Sequence, residues 1–300
     1  MKFSKYYLAA ILSFIIWGFF SLAVKPIRDY ASLDILFYRV FICAVIMAFI
    51  SLILRKKVFL ENVLIYKRMP VAQRLRIAGL TFGGGFLLTA NWFFFIYVMN
   101  HVSIKAASFA YLVCPILTTV IAFFILKEKL SKWQWTAVVL SVASCLLLSF
   151  NSAADVGYSM IVALSYAIYL VSQRKNSGVD KFLILTVQLL FAALLLLPFY
   201  PAYSETLPTD PTFWICILVI AVMLTIVPLY LNLYALQQVT SSMMGILLYI
   251  NPLINFSIAL FYFKEPVTKM QGIAYGLILF SIVVFNEQYV FPRREKTVLG

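Results

Sequence analysis

Four cysteines, one histidine and eleven acidic residues are all that this chain offers for covalent, metal or acid–base chemistry, and their spacing assembles none of it. Cys43, Cys114, Cys145 and Cys216 stand singly in apolar stretches, with no C-x-x-C pair and no adjacent histidine. They read as small buried hydrophobes, not as metal ligands or disulfide partners. His101 has a pKa range suited to proton transfer, but its short turn makes it a loop residue and not a relay. No Asp or Glu lies near the middle of an apolar run, and Glu287 stands at the end of one. An enzyme would need a nucleophile with its base, or a metal set. Neither is present, and no cofactor is expected. The Gly83-Gly84-Gly85 triplet lacks the strand–turn–helix setting of a phosphate loop, so it reads as a close helix contact or a flexible point.

What the other polar residues can do is hold a solute. Arg39 is the one strongly ionised side chain well inside an apolar run. It either snorkels to a nearby surface or faces a cavity and attracts an anionic or zwitterionic group. Asn91, Asn232, Asn251 and Asn255 are amides in apolar surroundings, where each must face protein, water or substrate. Ser108, Tyr111, Pro115, Thr118 and Ala122 follow helical i, i+3, i+4 steps and share one face. Pro115 and Pro252 each remove a backbone hydrogen bond mid-helix, freeing the carbonyls of Tyr111 and Leu248. The resulting candidate contacts are Arg39, Asn91, Trp92, Tyr97, Ser108, Tyr111, Asn232, Tyr249 and Asn255, with Pro115 and Pro252 as helix kinks.

The elements that must position these residues are membrane helices. With 64% hydrophobic and 12% charged residues, a chain of 300 does not describe a soluble protein. A bilayer core needs about 20 apolar residues per helix, and ten runs qualify: 6–24, 35–54, 77–99, 105–126, 133–150, 158–172, 182–199, 213–236, 242–263 and 270–290. Continuous apolar runs argue for helices over barrel strands. The first has basic Lys2 and Lys5 ahead of it but is too long for a signal segment and lacks a cleavage site, so it is expected to be retained. The net charge of +13 sorts by loop. With the N-terminus inside, cytoplasmic segments carry 18 basic residues and the opposite side 5. The positive-inside rule then places both termini in the cytoplasm, and the basic balance is a topology signal that argues against nucleic acid as a partner.

The chain also repeats itself. Residues 97–137 align without gaps on 234–274, at a constant offset of 137, with 11 of 41 positions identical. The matches include Pro115/Pro252, Lys127-Glu128/Lys264-Glu265 and Gln134/Gln271, which a shared apolar bias would not align. The repeat spans helices 3–5 and 8–10, so each half, 1–150 and 151–300, carries five. Units with an odd number of spans enter the membrane in opposite orientations. The expected fold is therefore an all-α polytopic membrane protein, ten transmembrane helices as two inverted five-helix repeats, an architecture of secondary transporters. Ser131-x-x-Gln134 and Thr268-x-x-Gln271 read as capping boxes, and Lys127-Glu128 and Lys264-Glu265 as charges punctuating the membrane surface. A transporter with a small-molecule substrate accounts for the duplication and the paired prolines. A scaffold or sensor is the alternative; the oligomeric state is open.

Tyr38-Arg39, Asn91-Trp92 with Tyr97, Asn100-His101-Val102, Ala107-Ser108 with Tyr111 and Pro115, the run Lys127-Glu128-Lys129-Leu130-Ser131, and Gly245 with Tyr249-Ile250 and Pro252 together resemble the RarD branch of the EamA permeases, within the drug/metabolite transporter superfamily. The resemblance covers nearly the whole chain. It implies two EamA repeats, a bacterial inner (plasma) membrane location and a permease role. RarD proteins are commonly labelled chloramphenicol-sensitivity or resistance permeases. Two positions depart from the family's pattern: Cys114 stands where Asn often precedes the first proline, and Asn251 where a small residue usually precedes the second.

Overall fold

The computed structural model describes residues 4–101, 104–149, 153–204, 207–262, 264 and 268–287. Among them the chain forms fifteen α-helical segments and no strand. They are α1 (Lys5–Gly18), α2 (Phe20–Val24), α3 (Ser32–Phe49), α4 (Lys56–Arg68), α5 (Val71–His101), α6 (Ile104–Leu126), α7 (Lys132–Ser149), α8 (Ala153–Lys175), α9 (Lys181–Leu196), α10 (Tyr200–Tyr203), α11 (Pro211–Ala221), α12 (Val227–Ala235), α13 (Ser241–Leu247), α14 (Ile250–Phe261) and α15 (Lys269–Phe285). The expected spans fall on these helices. Among the described residues, six runs, where ten were expected over the whole chain, have the length and apolarity to cross a bilayer: Lys5–Ile27, Ser32–Leu54, Val71–Val98, Lys181–Tyr203, Pro211–Ala235 and Ser241–Ile258. Ala110–Leu126 and Lys269–Phe285 are shorter apolar helices.

The distribution of side chains suits a protein dissolved in lipid. Val45, Leu54, Phe124, Leu194 and Phe261 are exposed, whereas Ser13, Thr118, Thr119, Ser141, Gln188 and Asn232 are wholly buried. Hydrocarbon gives apolar surface no reason to hide, so helices associate through small residues and internal hydrogen bonds. The α7–α15 contact shows this: Ser141 donates to Ser281 at 3.1 Å, and Ser144 donates to the Ala274 carbonyl at 2.8 Å. The glycine triplet of α5 is a close helix contact. A Cβ on Gly84 would collide with the side-chain nitrogens of both Gln173 and Gln188. Those amides form a buried knot in which Gln173 donates to the Leu80 carbonyl at 2.8 Å, and Gln188 donates to Gln173 at 2.8 Å.

The two copies of the repeated segment share local geometry. Lys127 and Lys264 have φ of 56° and 54°, the only positive values at non-glycine positions among the described residues. After each lysine comes the expected capping box. The Ser131 hydroxyl accepts from Gln134 N–H at 3.2 Å while the Gln134 side chain accepts from Ser131 N–H at 2.9 Å, and Thr268 and Gln271 make the same reciprocal pair.

The prolines behave differently from each other. Helix α6 runs through Pro115 without a break. In the second copy the helix stops at Leu247 and resumes at Ile250, so α13 and α14 are separate segments just ahead of Pro252. The Leu248 carbonyl expected to be free accepts the Asn251 N–H at 3.1 Å, a tighter turn that recovers part of what the proline removes. A π-helical stretch, Val222–Ile226, separates α11 from α12. Carbonyls in it and just ahead of it are taken by side chains: Trp17 Nε1 donates to Leu224 O at 2.8 Å and the Cys43 thiol to Ala221 O at 3.3 Å.

Candidate functional site

The candidate site is centred where α6 meets α13. Gly245 lies against Pro115 and Thr118, and an added Cβ there would stand 3.1 Å from the Pro115 carbonyl and 3.0 Å from Thr118 Cβ. This contact joins the two copies of the repeat at the proline of the first. Tyr111 lies one turn before Pro115 on α6 and packs on Phe95 of α5, with ring centroids 5.4 Å apart.

Arg39 reaches this region from α3. It sits about 10 Å along that helix from Ser32, at 1.5 Å per residue. The side chain turns inward: its guanidinium lies 4.8 Å from the Trp92 ring centroid and 5.9 Å from that of Phe20. Tyr111 and Cys43 are close enough to interact with it electrostatically. Its Nε is buried and has no hydrogen-bond partner. The ion pairs among the described residues are Arg28–Asp29 and Arg55–Asp180, so none of the described carboxylates neutralises Arg39.

Two aromatic hydroxyls share the unpartnered state. Tyr166 of α8 is buried, 6.0 Å from Trp17 in an edge-on contact and 5.7 Å from Tyr169 in a stack, and it is near enough to Tyr111 and Cys114 to feel them electrostatically. Tyr249, in the turn between α13 and α14, is wholly buried. Neither phenol oxygen is in a hydrogen bond; Ser141 stands close to Tyr249 without meeting that geometry. Asn232 on α12 donates to the Pro228 carbonyl at 3.1 Å, and its Oδ1 is buried without a donor. Unsatisfied polar atoms are costly in an apolar interior, so their presence calls for explanation. The sequence-derived contacts did not include Tyr166.

Other expected contacts lie elsewhere. Asn91 is buried against α8, donating to the Val162 carbonyl at 2.8 Å and to Ser165 at 3.2 Å. Tyr97 faces outward and lines an apolar groove with Phe93, Phe94 and Tyr158. The side chains of Ser108 and Asn255 lie outside the described residues, as do those of His101 and Glu265. Among the described residues no cluster of three His, Cys, Asp or Glu side chains could hold a metal.

Glu128 has a larger part than surface punctuation. Its carboxylate accepts Ser241 N–H at 2.8 Å, Ser242 N–H at 2.9 Å and the Ser242 hydroxyl at 2.6 Å. It thus holds the start of α13 from a loop in the other copy of the repeat. Beside it is a cavity of about 460 Å³ lined by Ser4, Tyr7, Gln134, Gln238 and Thr240 among others. At the same end Tyr7 donates to Asn286 at 2.7 Å and Tyr6 stacks on Tyr234 with centroids 4.7 Å apart. The recurrence of Glu at positions 128 and 265 was the available signal, but only spatial proximity reveals what Glu128 binds.

Comparison with known proteins agrees with this architecture. The model of the EamA-like transporter family matches residues 4–150 and again 156–286. The chain is 27% identical over 298 residues to the uncharacterized transporter YojE of Bacillus subtilis, covering 95% of each chain. It is 25% identical to protein RarD of Escherichia coli K12, over 96% of each, and 25% identical to protein RarD of Streptomyces exfoliatus, over 90% of this chain and 84% of that one. A solved crystal structure with 16% identity superposes with a TM-score of 0.75, covering 94% of this chain and 96% of the other.

Proposed function

The chain belongs to the EamA-like transporter family, as a multi-pass membrane transporter of the drug/metabolite class, and from that premise we propose that it is a permease for a small organic solute working by alternating access. Ten spans in two inverted halves, 1–150 and 151–300, with both termini in the cytoplasm, are the arrangement proposed for it. The matched lysine backbones and capping boxes at the offset of 137 support the duplication, and the loop charges support the orientation. The solute would sit between α3, α5, α6, α8 and the α13–α14 turn, touching Arg39, Trp92, Tyr111, Tyr166 and Tyr249.

The observation that carries this reading is the unpartnered state of Arg39 Nε, from the first stretch that matches the family, and of the Tyr166 and Tyr249 hydroxyls, from the second. A resting protein gains nothing from such groups, whereas a passing solute can satisfy them. In this scheme the contacts of Glu128 with Ser241 and Ser242, and of Tyr7 with Asn286, close the cytoplasmic end. Opening that end requires α13 to move away from Glu128. The break at Leu248–Tyr249, held by short-range turn bonds in place of a continuous helix, gives α13 a hinge against α14.

A metabolite-library comparison of cells with and without the protein, followed by flux in proteoliposomes, identifies the solute. With that solute, Arg39→Ala and Tyr111→Phe are each expected to weaken transport at least about tenfold, the scale of a lost charge-assisted or buried hydrogen bond. Unchanged affinity and rate in both variants would place the site elsewhere.

A further inference from the structure

We propose that the solute class is organic anions carrying a flat unsaturated body, with the Arg39 guanidinium taking the anionic group. This rests on the transporter reading above and narrows it. Charge is the first argument. Arg39 is a permanent cation inside the bundle, and none of the described carboxylates pairs with it. The groups around it are Trp92, Phe20, Tyr111 and Cys43, none of which supplies a negative charge at neutral pH. A cationic solute would face uncompensated repulsion there, and a neutral one would leave the guanidinium still unpaired. An anion removes the cost of the buried charge as it binds.

Geometry is the second argument. The aromatic rings engage the guanidinium as π partners, which leaves its N–H groups available for the bidentate fork that suits a carboxylate, sulfonate or phosphate. Two phenols are within electrostatic reach, Tyr111 of Arg39 and Tyr166 of Tyr111, and the Tyr166 hydroxyl is unpartnered. Donors and ring faces together recognise an acidic head on a planar body.

The test uses the purified full-length chain in detergent, with three probes that share one ring: benzenesulfonate, neutral benzenesulfonamide and cationic benzylammonium. Equilibrium dialysis is expected to give saturable binding of benzenesulfonate, with the other two at least about tenfold weaker. Arg39→Gln should remove the preference for the anion. Arg39→Lys should retain the preference at reduced affinity, because the charge stays and the fork is lost. Melting curves check that each variant is folded, and Arg39→Lys carries the test if Arg39→Gln is not. The proposal is overturned if wild type shows no saturable binding of benzenesulfonate, if either other probe binds as tightly, or if Arg39→Gln binds the anion unchanged. Flux of the library-identified solute separates the two readings. Anion binding without flux of any solute would defeat the transporter mechanism alone. Flux of a neutral or cationic solute that Arg39→Gln leaves intact would defeat the anion class alone.

Discussion

At the scale of single residues, side chains of similar type have divided between hydrogen bonds that hold the fold and polar atoms left unpaired. Asn91 and Asn232 are both buried amides, yet Asn91 spends its donors on Val162 and Ser165 of α8, whereas Asn232 keeps an unpaired oxygen. Asn91→Ala is therefore expected to lower the melting point in detergent by the equivalent of about 1 kcal/mol, the usual worth of an interhelical bond in a membrane protein, with solute affinity unchanged. Loss of affinity without loss of stability would return Asn91 to the site. Glu128 makes the opposite case, a charge at a loop that closes on another part of the chain. In Glu128→Ala three donors at the start of α13 lose their acceptor, at about 1.5–3 kcal/mol for a bond to a charged group. Thiol labelling of a cysteine placed at Met243 in a background lacking the native cysteines should then be at least about tenfold faster than with Glu128 intact. An equal rate would show that the carboxylate does not restrain this end.

Among the elements, the informative places are those where a helix ends or is approached closely. Lys127 takes the left-handed conformation that helix ends usually give to glycine, so Lys127→Gly is expected to stabilise the protein by up to about 1 kcal/mol. A β-branched residue there should destabilise it, and thermal unfolding in detergent reads both. The middle of the glycine triplet has the opposite demand. A methyl at Gly84 would collide with the Gln173 and Gln188 amides, which are tied to Leu80 and to each other. Gly84→Ala should cost about 1–3 kcal/mol, as overpacking does, and a melting point equal to wild type would mean that the amides can rearrange freely. The capping boxes, the small-residue contacts and the helical character of the apolar runs were legible in sequence, because each depends on neighbours three or four positions away. The different responses to Pro115 and Pro252 were not. The sequence rule frees one carbonyl at each, but whether the helix continues or breaks depends on what packs against it.

For the whole molecule, the proposed alternating access requires motion of α13 against the loop holding Glu128. Cysteines at positions 128 and 242, whose present side chains touch, joined by a short reducible bifunctional reagent, should stop flux in proteoliposomes, and reduction should restore it. Flux that continues through the cross-link would exclude this end as a gate. Sequence alone determined that the chain lives in a bilayer, that it is helical and duplicated, and that it resembles EamA permeases, because apolar run length, loop charge and repeat register are properties of the linear chain. Tertiary structure decided which polar residues face each other. It turned Arg39 inward onto Trp92 and Phe20, brought Tyr166 into the company of Tyr111, committed Asn91 to α8 and set Glu128 on α13. Those outcomes depend on how helices far apart in sequence rotate and cross. In lipid, that choice is governed by close packing and pairing of buried polar groups, which apolar periodicity does not encode.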